Sequence, residues 1–162
     1  MRPPLQLAAV GLVLLLTSCG LQRGPLDYGR TDGGAAAVCA PAIDRPWLIG
    51  DSFRSPGHEI HVDAIDLVDP KGIVLLDAWL TTPEGAIGAI EYPPSIDVDW
   101  AHAVGAVGEA VPADTVQNFA VAVKSDDEHG GSAEAIAISY SIDGHQYRAV
   151  GTLAIRIERA CE

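Results

Sequence analysis

From residue 59 onward the chain alternates apolar and polar positions with a period of two, and the helical period is nearly absent. Ile60 and Val62 alternate with Glu59, His61 and Asp63, and the pattern slips by one residue between Ala64 and Ile65, which predicts a bulged strand. Asp69-Pro70-Lys71-Gly72 fits a type I turn. Ile73 to Thr81 is apolar at nearly every position, which predicts a central strand with Trp79 in the middle of the core. A further strand over Ala86 to Tyr92 must stop at Pro93-Pro94, and Ser95 to Asp99 fits a short edge strand. Trp100 to Val111 is read as a short helix or an irregular crossover, because Trp100, Val104, Val107 and Val111 approach helical spacing while Gly105 and Gly108 weaken a helix.

The last third carries the firmest pattern. Val116 to Lys124 alternates, with Phe119, Val121 and Val123 on the inward side, and the polar stretch from Ser125 to Ser132 ends it. Ile136, Ile138, Tyr140 and Ile142 then alternate up to Asp143-Gly144, a two-residue hairpin turn, and the chain returns through Tyr147, Ala149, Gly151, Leu153, Ile155 and Ile157. That turn pairs Ile142 with His145, Tyr140 with Tyr147 and Ile138 with Ala149, leaving Ser139, Ser141, Gln146 and Arg148 on a wet face. The fold expected is all-β: an antiparallel β-sandwich of immunoglobulin-like type with about seven strands, a small β-barrel being the alternative.

The first part of the chain follows a different rule. Arg2 precedes an apolar run from Leu5 to Leu16, too short for the roughly 20 residues a spanning helix needs. Leu16-Thr17-Ser18-Cys19 resembles the bacterial lipobox, which implies cleavage before Cys19 and a diacylglyceryl group on its thiol, so that residues 1–18 are a lipoprotein signal peptide. The resemblance implies a protein held on the extracytoplasmic face of the cell membrane by the Cys19 lipid, with palmitate-type chains. Residues 19–38, rich in glycine and alanine, are expected to be a flexible tether, and 39–162 the sandwich domain. In layout the chain is also similar to small actinobacterial lipoproteins of unassigned function, a likeness that implies no active residue.

Three cysteines are present, and lipidation of Cys19 leaves Cys39 and Cys161 as an even pair, expected to form a disulfide in an exported chain. The net charge of −12 repels phosphate backbones and anionic lipid headgroups, which argues against nucleic acid as a partner and against direct adsorption of the domain to a membrane surface. Glu59, His61 and Asp63 project from one strand face and are weak candidates for a metal site; Asp97 with Asp99 and the Asp126-Asp127-Glu128 loop are oxygen-rich but follow no calcium-loop spacing. There is no Gly-x-Ser-x-Gly and no phosphate-binding glycine loop. No cofactor is expected. The function expected is a non-enzymatic binding or interaction domain of the cell envelope whose partner is another envelope protein; the alternative is a metal- or small-ligand-binding lipoprotein serving a transporter.

Overall fold

The computed structural model describes residues 22–29, 36–82, 88–94, 100, 102–126 and 129–161. Its strands are β1 (Gln22–Arg23), β2 (Asp27–Tyr28), β3 (Ala36–Pro41), β4 (Trp47–Arg54), β5 (Ile60–Val68), β6 (Ile73–Thr81), β7 (Gly88–Glu91), β8 (Val104–Gly105), β9 (Ala110–Val111), β10 (Val116–Ser125), β11 (Gly131–Ala133), β12 (Ala135–Ile142), β13 (His145–Val150) and β14 (Leu153–Glu158). No helix occurs among the described residues.

One sheet runs β2-β4-β10-β6-β8, with β7 also on β4, and a second runs β1-β13-β12-β5-β9. Taking β2, β4, β5, β6, β10, β12 and β13 as A to G in chain order, the two sheets are A-B-E-D and C-F-G, the arrangement of an immunoglobulin-like sandwich. A third sheet, β11-β14-β3, joins β14 in parallel to β3. The described sheets have open edges, so this is a sandwich and not a closed barrel.

The hairpin forms with the expected pairing. Ile142 faces His145, Tyr140 faces Tyr147 and Ile138 faces Ala149. Asp143 and Gly144 both take positive φ, 49° and 80°, as a two-residue turn matching the strand twist requires. Ile136, Ile138 and Tyr140 are fully buried, and they meet Phe119, Val121 and Val123 of β10 in one core. The return strand bends at Gly151-Thr152 and β14 leaves for the third sheet. A Cβ on Gly151 would strike the ring of Tyr28, so the bend lets Tyr28 pack there.

Several expectations are corrected. The bulge on β5 falls at Asp63, because Ser139 pairs with Ala64 and Tyr140 with Val62. β6 is not central: among the described residues only two-residue β8 lies beyond it, and Val74 and Leu76 are exposed. A second bulge skips Leu76 and sets Ala78 and Leu80 inward, which turns Trp79 to the outer face of the sheet. Between Trp100 and Val111 the crossover is found and the helix is not, as β8 pairs with β6 while β9 pairs with β5. Gly108 holds a φ of 88° in that crossover, a conformation a helix excludes. Ser95 to Asp99 lies outside the described residues.

The expected tether contains structure too. β1 pairs in parallel with β13, Gln22 opposite Tyr147 and Arg23 opposite Arg148, and β2 pairs with β4. Leu26 and Tyr28 are buried in the main core, and the Leu26 amide donates to the Tyr140 hydroxyl at 3.0 Å. Two apolar side chains among glycines and charges suffice to dock the segment because a prepared groove receives them, whereas composition weighs only how many there are.

Tyr140→Phe should remove the acceptor of a buried amide and cost about 1–3 kcal/mol in urea denaturation. Tyr28→Phe should leave stability unchanged or slightly higher, because the Tyr28 hydroxyl is buried without a hydrogen-bond partner. Equal losses in the two variants would contradict the assignment.

Candidate functional site

The candidate site is a hollow of about 390 Å³ where two sheet edges come together. Its floor is Gly50, Asp51 and Ser52 of β4, and its walls include Ala36, Ala37 and Val38 of β3, Gly88 of β7, and Leu153. Gly50 and Gly88 face one another across the β4–β7 pair, so no side chain fills the space between the strands there. Among the described residues β3 is the last strand of its sheet and β7 pairs with β4 alone, which leaves backbone of both strands at the sheet margins. The volume lies in the range of small-ligand sites.

Asp51 supplies the carboxylate of the hollow, and one of its oxygens accepts the Ser52 amide at 2.8 Å. Burial pushes the nearby Tyr28 phenol far above its ordinary value, and the neighbouring Asp51 carboxylate raises it further. Small walls, strand margins and one anionic oxygen pair suit a ligand or an extended segment that donates hydrogen bonds.

The sequence-derived candidates lie elsewhere. Cys19 is outside the described residues. Cys39 on β3 and Cys161 after β14 are joined, with Cα atoms 5.7 Å apart, across a separation of 122 residues. Glu59 and His61 approach to 3.5 Å in an exposed pair, while Asp63 accepts a hydrogen bond from the Ser141 hydroxyl at 3.3 Å. Among the described residues no three His, Cys, Asp or Glu side chains are grouped closely enough to hold a metal ion. Asp97, Asp99, Asp127 and Glu128 lie outside the described residues, and Asp126 is exposed.

The tryptophans form two arrangements. Trp47 is half-buried against the main core and donates its indole N–H to the Pro41 carbonyl at 2.8 Å. Trp79 stacks on Tyr92 and meets Trp100 edge-on, each pair with ring centroids 5.4 Å apart. These rings cover Leu48 of β4 and the small residues Ala120 and Ala122 of β10 as a second core on the back of the sheet. This explains why β10 is buried on both faces.

Sequence reasoning missed the hollow because its lining is glycine, alanine, valine, one Thr-Leu pair and one ordinary Asp-Ser pair, scattered from Gly29 to Leu153. The facing glycines were visible only once the β4–β7 register was known.

No family model matches the chain, and no curated protein does. Among solved structures, the ASH/PapD-like domain of human CEP192 (PapD-like domain 7) is similar at 5% identity over 96% of this chain and 99% of that one, with a TM-score of 0.35. A superposition that loose carries no argument about this chain. The immunoglobulin-like assignment stands on the strand order itself.

Tyr28 and Tyr140 have their pKa values raised above the ordinary 10.0, chiefly by burial in both cases. A group raised by folding contributes stability that is full below its unfolded pKa and is lost as pH climbs above it. The urea midpoint should therefore hold steady up to about pH 10 and fall beyond it, and Tyr28→Phe should flatten the fall. Ionisation of all tyrosines in the folded protein near the ordinary value, read by ultraviolet difference absorbance, would contradict this.

Proposed function

We propose that the chain is an exported lipoprotein, anchored by lipid on Cys19 to the extracytoplasmic face of the cell membrane, whose sandwich is a non-enzymatic binding domain of the envelope. The anchor is supported by the lipobox layout from Leu16 to Cys19, with its apolar run upstream. Export is supported by the Cys39–Cys161 disulfide, a bond that persists in oxidising compartments. The observation that carries the binding role is the hollow over Gly50, Asp51 and Ser52, bounded by the margins of β3 and β7. Its occupant is another envelope component that presents hydrogen-bond donors to Asp51.

Cys19→Ala should abolish incorporation of labelled palmitate and move the chain out of the membrane fraction; continued labelling would sink the anchor. For the binding role, a photo-crosslinking amino acid at Ala37, exposed on the wall of the hollow, should give a discrete adduct in cells. The same group at Leu76, exposed on β6 away from the hollow, should give none. Matching patterns from the two positions, or turnover of a substrate by the purified protein, would overturn the binding role.

A further inference from the structure

The strand registers sort the loops between two ends of the sandwich. At one end lie the 55–59 connection, the 112–115 segment leading into β10, and the β12–β13 hairpin tip at Asp143-Gly144. At the other lie the 69–72 turn, the 129–134 stretch and the Cys39–Cys161 disulfide that follows β14. β1 runs parallel to β13 and starts opposite Tyr147, two residues past the beginning of β13, so the chain enters the domain at the hairpin end. Only Gly20 and Leu21 separate Cys19 from Gln22. Three residue steps span at most about 11 Å even when fully extended.

That leash is much shorter than the domain. Eight residues of β12 cover about 25 Å at ~3.3 Å per residue, from the disulfide end to the hairpin end. The entry edge also carries cationic chemistry. Arg23 and Arg148 are register partners on adjacent strands and share a face, and with Leu26 and Val150 they line a hollow of about 380 Å³. Arg148 lies 3.7 Å from Asp66, which offsets part of its charge, while Arg23 is exposed. The loops at the hairpin end expose the carboxylates of Glu59, Asp114 and Asp143, so the leash and not charge attraction sets which end faces the bilayer. The loop at this end is stiff. Ser55 is buried, its hydroxyl donates to the Pro112 carbonyl at 2.6 Å, and it accepts the Thr115 amide at 2.8 Å.

We propose that the hairpin end of the sandwich faces the phospholipid surface, held there by the short leash to the Cys19 lipid, and that the disulfide end points away from the membrane. This rests on the Cys19 anchor proposed above and deepens it: the domain is an oriented platform, held against the bilayer and not on a long tether. The hollow over Asp51 is thereby carried on a domain of defined orientation.

The test uses the full lipidated chain in vesicles of phosphatidylglycerol and phosphatidylethanolamine carrying a headgroup-linked quencher. A fluorophore is placed on His145→Cys, exposed at the start of β13, or on Glu134→Cys, exposed at the far end beside β12. The label at 145 should be quenched several-fold more strongly than the label at 134. A chain that sediments with the vesicles but shows equal quenching at both positions overturns the orientation and leaves the anchor standing. A chain that stays in the supernatant overturns both. Inserting a long Gly/Ser linker between Leu21 and Gln22 should erase the difference, and a difference that survives insertion overturns the short leash as its cause.

Discussion

The two main sheets are held together by one shared apolar interior, the one formed between the inward faces of β10 and β12. Each is the middle strand of its sheet, and Phe119, Val121 and Val123 on one side and Ile136, Ile138 and Tyr140 on the other are essentially removed from water. At about 25 cal/mol per Å² of apolar area, burying six such side chains supplies one of the larger favourable contributions in a domain of this size. The strands beside them inherit their register. β5 is set by β12, β4 and β6 by β10, and a slip of one residue in either central strand would turn the inward set to the outside. Tyr140 extends that control to the start of the chain, since its hydroxyl accepts the Leu26 amide and thereby docks β1 and β2 against the same interior.

How much of this was legible in the sequence depended on whether one strand sufficed to show it. The Asp143-Gly144 hairpin was fully readable, pairing included, because turn chemistry and alternation agree there and both are local. The immunoglobulin-like class followed from strand number and spacing. Trp79 was misplaced because an apolar run on every residue hides which side is inward, and the choice was made by a bulge at Leu76 that only the β10 partner reveals. The helix suggested between Trp100 and Val111 failed for a related reason. Four apolar residues near helical spacing also suit a chain crossing between two sheets, and Ala106 and Val111 are the ones buried there while Val104 and Val107 stay exposed.

The candidate site lies at the opposite extreme of legibility. A hollow made by missing side chains leaves no motif, since Gly50 and Gly88 are 38 positions apart and become a feature only through the β4–β7 register. The cluster of Glu59, His61 and Asp63 turned out to be a solvated strand face whose members pair locally or with a neighbouring serine. Period-two spacing guarantees that alternate residues share a face. It says nothing about whether their side chains converge, and convergence is what a metal or a reaction requires.

The two ends of the domain are constrained by different bonds, and together these limit how the hollow is displayed. The disulfide closes a separation of 122 residues, a constraint on the unfolded chain of about 4–5 kcal/mol in the loop-entropy account, and it fixes β3 to the end of β14. β3 is one wall of the hollow, and Leu153 at the start of β14 is another part of its lining, so the bond braces the site from the side opposite its floor. The entry strand β1 braces the sandwich from the other end by pairing with β13, the strand that bends at Gly151 into β14. A wall made from a terminal strand would ordinarily be the first part of a sheet to open. Here that strand is tied covalently through Cys39 within it and by a parallel ladder along its length, which lets a margin of small side chains keep its shape.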